Sequence, residues 1–459
     1  MSPRDAIETA TTSKHARYDA YKDASVDWLD EIPSHWEITR TDALMSSHRD
    51  TVDSDFLDDR EVFHYSIPVI DETGDGQAED GSEINSSKIL LQGGELLVSK
   101  LNPRKSRVLL GEVKDLPCVC SSEFVVMVPK SCHARFAMYL YSAEHVRQYL
   151  DSTVQSATRS HQRADPTNIA KMKAAWPPLP EQRAIAAYLD RETERIDALI
   201  DKKERLIDLL DEKRTALISH AVTKGLDDDV AMQDSGVEWL GEIPAGWETA
   251  RLKFLADVQG GIAKGKTYDD DIETVDLPYL RVANVQDGYL NLDEISEIEV
   301  AVDDVERYAL HPGDVLMNEG GDFDKLGRGT VWHGEIQPCL HQNHVFAVRP
   351  RTLESEWLAL ITQARYAKHF FILHSVQSTN LASISMTSLQ GLPVVLPPKK
   401  ERRRILEHVQ QQTSHIDSLL DKVRDGIDRL EEYRTALISA AVTGQIDVRE
   451  EAEGLDNLQ

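Results

Sequence analysis

The sequence predicts an α+β fold in tandem repeat, with two globular halves each closed by one long helix. Three observations carry this. Residues 178–223 open on Pro180 and Glu181 and then run about forty residues with no further Pro and no Gly. Residues 398–443 repeat that stretch, so that Arg214-Thr-Ala-Leu-Ile-Ser219 returns as Arg434-Thr-Ala-Leu-Ile-Ser439. Trp28-Leu-Asp-Glu-Ile-Pro-Ser-His-Trp36 returns as Trp239-Leu-Gly-Glu-Ile-Pro-Ala-Gly-Trp247. A repeat about 220 residues long is a domain, not a solenoid unit.

Taken in order, residues 1–24 are polar and predict a loose extension. Residues 25–177 form the first globular half, with strand-like runs at 88–91, 95–98, 107–110 and 124–128 and a helical segment at 134–151. The helix at 178–223 follows, with apolar residues at Ile185, Leu189, Ile196, Leu199, Leu206, Leu210 and Leu217 in the 3/4 spacing of a coiled-coil seam. Glu192, Lys203 and Lys213 interrupt the seam. Residues 224–235, acidic and containing Gly225, read as a linker. The second half, 236–397, has strand-like runs at 279–285, 314–317, 329–332 and 345–348 and a helical segment at 355–373; the second long helix, 398–443, and a tail, 444–459, complete the chain. Two long helices of this kind bury their seams against one another.

Composition bounds the function. The 459 residues are 41% hydrophobic, enough for real cores, and no apolar run approaches membrane-spanning length. Four cysteines give no disulfide framework, and the N-terminus lacks an apolar signal core, so a cytoplasmic setting is expected. The net charge of −28 argues at first against nucleic acid. Acids are concentrated in stretches such as 227–229 and 269–271, however, and a salt-rich solvent, with its Debye length of about 3 Å at 1 M, would account for an acidic surface independently of the partner.

Several motifs carry no chemistry. Gly260-Gly-Ile-Ala-Lys-Gly-Lys266-Thr267 matches a phosphate loop letter for letter, but the acidic stretch after it reads as an exposed loop running into a strand, where that loop requires a helix. Cys118, Cys120, Cys132 and His133, and Cys339, His341 and His344, lack zinc-module spacing and read as packing residues. No methyltransferase cofactor loop or catalytic tetrad, and no nucleophilic triad, is present. The chain reads as non-catalytic and free of metal.

What remains is basic and amide chemistry in loops. The first half offers 99–107, with Lys100, Arg104, Lys105 and Arg107, and 154–163, with Arg159, His161, Gln162 and Arg163; both are acid-free. The second offers 318–329, with Asn318, Lys325 and Arg328, and 376–380, with Gln377, Ser378 and Asn380. These side-chain types read base edges and hold phosphates. The bland reading, a set of solvated polar loops, has equal standing on composition alone.

The paired Trp openings, 318–328, Pro180-Glu-Gln-Arg183 and the two Arg-Thr-Ala-Leu-Ile-Ser helix ends together resemble the specificity subunits of type I restriction–modification systems, from about residue 27 to 447. The first half departs from the pattern in lacking the Gly-Gly-Asp-x-x-Lys-Leu-Gly-Arg loop of the second. The resemblance implies two target-recognition domains separated by an antiparallel coiled coil, no catalytic activity, and readout of a bipartite target on double-stranded DNA. It further implies two methylation subunits that use S-adenosylmethionine on adenine, restriction subunits that use ATP and Mg, and no membrane partner. Because the readers diverge while the scaffold repeats, the expected target is non-palindromic with an unread gap. A coiled-coil adaptor without DNA readout accounts for the helices and the acidity, but not for two diverged, Trp-flanked halves.

Overall fold

The computed structural model describes residues 15–453, apart from 27, 59, 155–161, 266, 270, 322–325 and 379–380. The chain divides into two compact units that cut across both long helices. One comprises Met1–Lys203 with Arg424–Gln459, the other Glu204–Val423. Each unit therefore owns one globular half, the adjoining part of one long helix and the far part of the other.

The two units share a sheet plan. In the first, an antiparallel sheet runs in the order Val108–Leu110, Leu96–Ser99, Phe124–Pro129, Met45–His48. In the second, the order Gly329–Val331, Val315–Asn318, Val345–Pro350, Ala256–Gly260 repeats it strand for strand. Beside each lies a mixed sheet with one parallel pair, Glu61–Tyr65 with Cys118–Ser121 in the first unit and Thr274–Leu280 with Leu340–His341 in the second. The strand-like run expected at 279–285 begins earlier and stops at Leu280, because a 3-10 turn at Val282–Asn284 ends it.

The long helices span Leu179–Lys224 and Lys399–Val442. Pro180 is tolerated in the first turn, where its missing N–H costs nothing, and Glu181 suits the positive end of the helix dipole. Gly225 (φ 82°) follows one helix and Gly444 (φ 75°) the other, the left-handed C-terminal position that favours glycine. A Cβ on Gly444 would stand 2.3 Å from Pro33 Cδ, so no other residue fits there unaltered.

The seam differs from the expected one. Ile185, Leu189 and Ile196 are buried with Leu437 and Ala441 in the first unit's core, the two helices running antiparallel. In the second unit Leu210 packs with Ile416 and Leu420, supported by Ile207 and Leu419, while Arg214 reaches Asp417 at 2.5 Å. Leu199 and Leu206, placed on the seam by a strict heptad count, are 40% and 43% exposed. A helix of 3.6 residues per turn drifts about 20° per heptad against a 3.5 repeat, and over this length the drift moves the buried stripe to neighbouring positions.

The helical segment expected at 134–151 is two helices, Ala134–Ser142 and Glu144–Ser152, broken at Ala143, whose ψ of 142° is extended. The one expected at 355–373 breaks in the same way at Ala364 (ψ 144°), giving Ser355–Gln363 and Arg365–Leu373. Each break is held by a long helix. Ser439 Oγ accepts the Glu144 amide at 3.2 Å, and Ser219 Oγ accepts the Arg365 amide at 2.8 Å. The serine that ends each Arg-Thr-Ala-Leu-Ile-Ser motif thus caps a helix of its own unit.

The Trp openings have a matching explanation. Trp36 Nε1 donates to Glu181 Oε1 at 3.0 Å, and Trp247 Nε1 donates to Glu401 Oε2 at 3.0 Å. Each globular half is thereby fastened to the first turn of the helix that follows it. In the first unit Glu181 also accepts from the Tyr18 hydroxyl at 2.7 Å and lies 2.8 Å from His35 Nε2. Burial and that carboxylate push the Tyr18 hydroxyl well above the usual tyrosine range.

Candidate nucleic-acid interface

In the first unit, the loop after Leu96–Ser99 turns through Pro103–Lys105 between two left-handed residues, Asn102 (φ 48°) and Ser106 (φ 47°). The second candidate segment, some sixty residues on, docks against this loop. Leu101 bridges Arg163, the Asn102 amide donates to the Gln162 carbonyl at 2.7 Å, and the Ala164 amide donates to the Lys100 carbonyl at 2.9 Å. The two acid-free stretches chosen from sequence therefore meet at one edge. Arg159 and His161 lie outside the described residues.

Most of the loop's cations are already engaged. Arg107 is 7% exposed; its guanidinium grips Asp71 through Nε at 2.5 Å and Nη2 at 2.8 Å and donates to the Leu101 carbonyl at 2.9 Å. This arginine braces the loop from inside and offers no charge to solvent. With Lys105 Nζ at 3.0 Å from the same carboxylate, the two cations hold Asp71 down to about 2. Arg104 bonds Gln162 Oε1 at 2.7 Å and approaches Asp151 at 3.5 Å. Arg163 forms a bidentate pair with Glu123 at 3.0 and 2.9 Å. Arg104, Lys105 and Arg163 remain more than half exposed, so these pairs are surface pairs that an incoming anion can exchange.

The second unit builds the same junction. Gly320–Gly321 joins a small sheet with Leu381–Ile384 and Ser375–Ser378, pairing Gly320 with Ser383 and Gly321 with Ala382. Gln377 and Ser378 lie on the outer strand, opposite Ala382 and Leu381 in register. Asn318 is 2% exposed; its Nδ2 donates to the Val285 carbonyl at 2.9 Å, and its amide takes the Arg328 carbonyl at 3.0 Å, which closes the loop. It too is a brace. Half-buried Arg328 reaches Gln286 Oε1 at 3.4 Å. Lys325 and Asn380 lie outside the described residues.

The junctions differ in sign at one matched pair. The Lys100 amide donates to the Glu123 carbonyl, and in the same place the Glu319 amide donates to the His344 carbonyl, both at 2.9 Å. Where one unit has a lysine facing a glutamate's strand, the other has a glutamate whose carboxylate lies 2.6 Å from His344 Nδ1.

Sequence reasoning missed a second basic feature of the first unit. A cleft of about 750 Å³ opens beside Lys100 and is lined by Arg49, Lys88 and Lys171, with Ser86, Ser122 and Thr167 among its hydroxyls. These cations are isolated in sequence, so no local run marks them; the only hint is the acid-free Asn85-Ser-Ser-Lys88.

The remaining motifs are structural. Cys118, Cys120 and Cys339 are buried in core clusters, and burial pushes the Cys120, Cys132 and Cys339 thiols up to about 12. His341 is fully buried, with Nδ1 2.7 Å from the Val345 carbonyl. Gly260 ends a strand, and the next regular element among the described residues is the strand at Thr274–Leu280. A Cβ on Gly261 would stand 2.0 Å from the His341 carbonyl, so this glycine serves close backbone approach. Lys266 lies outside the described residues.

Comparison with known proteins agrees with this plan. Residues 244–429 match the model of the type I restriction modification DNA specificity domain. The putative type I restriction enzyme MjaX specificity subunit of Methanocaldococcus jannaschii is 24% identical over 207 residues, 44% of this chain and 47% of that one. The StySPI specificity subunit of Salmonella potsdam is 23% identical over 285 residues, 61% and 59%. The chain thus spans about half to three fifths of the length of these two relatives. The MjaVIII specificity subunit of Methanocaldococcus jannaschii is 21% identical over 422 residues, 91% and 94%. A solved chain from work on assembly and conformational transition of a type I restriction–modification system shares the fold, with a TM-score of 0.66 at 19% identity, covering 90% of this chain and 99% of that one. With a matched specificity domain at residues 244–429 and a tandem repeat on one sheet plan, the chain is similar to type I restriction–modification specificity subunits.

Proposed function

We propose that this chain is the DNA-reading subunit of a type I restriction–modification complex and has no catalytic role of its own. The observation that carries this is the repeated junction: in each unit, two segments distant in sequence converge on one edge, at Leu101–Arg163 and at Gly320–Ser383. In the first unit that edge offers the exposed side chains of Arg104, Lys105 and Arg163 on a braced backbone, which suits base-edge readout in a groove. Each unit reads one half of a bipartite target on double-stranded DNA. The sign difference at Lys100 and Glu319 supports unequal half-sites.

Methylation subunits, two per complex, would bring S-adenosylmethionine, and restriction subunits would bring ATP and Mg; all act in the cytoplasm on a target chosen by this chain. No helix among the described residues is long and apolar enough to cross a membrane. The acidity of the chain leaves little non-specific attraction to phosphates, so tight binding belongs to the assembled complex. Footprinting with the reconstituted methylation complex tests the reading. Two protected elements of different sequence around an unread gap are expected; one continuous protected motif contradicts it.

A further inference from the structure

The cations of the first unit fall into two classes. Arg104, Lys105, Arg107 and Arg163 each have a carboxylate partner, and their main task is to hold the junction. Arg49, Lys100 and Lys171 have neither an ion pair nor a side-chain hydrogen bond among the described residues, and all three line the cleft of about 750 Å³. Lys88, also in its lining, is only 6% exposed. Its ammonium donates to the Ser86 carbonyl at 2.9 Å and to Ser86 Oγ at 2.6 Å, with no carboxylate within ion-pair distance among the described residues.

This is an unusual place in a chain with 79 acidic and 51 basic residues. No Asp or Glu lines the cleft, although acids outnumber bases in the chain as a whole. A buried ammonium with no carboxylate in direct contact is costly, and four cations lining one cleft with no acid among them favour an anion there. Ser47, Ser87, Ser122 and Thr167 supply hydroxyls of the kind that bond phosphate oxygens. The matched position in the second unit carries Glu319 in place of Lys100, so this charge pattern is particular to the first unit.

We propose that this cleft grips the sugar–phosphate backbone of DNA next to the bases met by the Leu101–Arg163 junction. The proposal rests on the DNA-reading function above and assigns the phosphate contacts of the first half-site to Arg49, Lys100 and Lys171, with Lys88 fixing the floor. The paired cations of the junction then serve position and base contact.

The test uses the full chain assembled with methylation subunits and a mixed-sequence fluorescent duplex, with binding followed by anisotropy over a range of KCl. Each phosphate contact adds about 0.9 to the steepness of log affinity against log salt. The combined variant Arg49→Gln, Lys100→Gln, Lys171→Gln is expected to lower that slope by about 2.7 and to weaken binding to all sequences alike. The single changes Arg49→Gln and Lys171→Gln, at exposed side chains, should each lower it by about 0.9, which guards against a fold defect in the combined variant. An unchanged slope in all three variants, with wild-type complex still binding DNA, overturns the cleft assignment and leaves the reading function standing. Failure of wild-type complex to bind any duplex overturns both.

Discussion

Ser439 Oγ accepts the backbone amide of Glu144 at 3.2 Å, and through this bond the far end of one long helix fixes a helix break in the first globular half. The second unit repeats it between Ser219 and Arg365 at 2.8 Å. Neither break has a Pro or Gly; the chain turns at Ala143 and Ala364 because a serine from elsewhere satisfies the amide that the turn exposes. Ser439→Ala and Ser219→Ala should each cost about 1 kcal/mol, within the usual range for loss of a helix cap. Hydrogen exchange should locate each loss in its own unit.

The Trp–Glu fastening predicts an asymmetry. Glu181 accepts from Trp36 and Tyr18 and contacts His35, whereas Glu401 accepts from Trp247. Glu181→Ala strands several donors, two of them on buried residues, and should cost about 3 kcal/mol; Glu401→Ala, which strands one indole N–H, should cost about 1–2 kcal/mol. Urea unfolding of the two variants checks the order.

Acid should loosen the first junction. Asp71 lies at about 2 because Arg107 and Lys105 bond its charged form. A carboxyl lowered in the folded state contributes fully above its ordinary value near 4 and loses that contribution as pH falls through about 2. Asp71→Asn should therefore be less stable than the parent at neutral pH, with the gap closing as pH drops from about 4 toward 2. Chemical unfolding across that range measures it.

Gly426 lies inside the second long helix, where a Cβ would stand 2.6 Å from Lys203 Nζ. That atom is the free end of a flexible side chain and can give way. The gain in helix propensity then decides the sign, and Gly426→Ala should raise stability by about 1 kcal/mol. A thermal melt that falls instead would mean that the Lys203 ammonium is held where it is.

Much of this was legible in sequence. The repeat gave the two halves, the gap in Pro and Gly gave the first long helix and the repeat the second, and the absence of acids marked the two segments that meet at the first unit's junction. Four things were not. The seam moved away from Leu199 and Leu206 because helical drift accumulates over a long span. The breaks at Ala143 and Ala364 are set by serines about 300 and 150 residues away in sequence, beyond any local signal. Arg107 and Asn318 look like readers by type but are buried braces, since side-chain direction depends on Asp71 and Val285 across the fold. Arg49, Lys88 and Lys171 carry no local pattern, and only folding brings them to one cleft.

The central claim, that this chain chooses a two-part DNA target, is tested most directly by mapping methylated adenines in cells that express the methylation partners. The map would be made without this chain, with it, and with a form lacking one heptad from each long helix, a shortening of about 10 Å or about three base pairs. The account predicts methylation at a non-palindromic, interrupted motif only when the chain is present, and the same bases around an altered gap for the shortened form. A continuous motif, or the same motif without the chain, would contradict it.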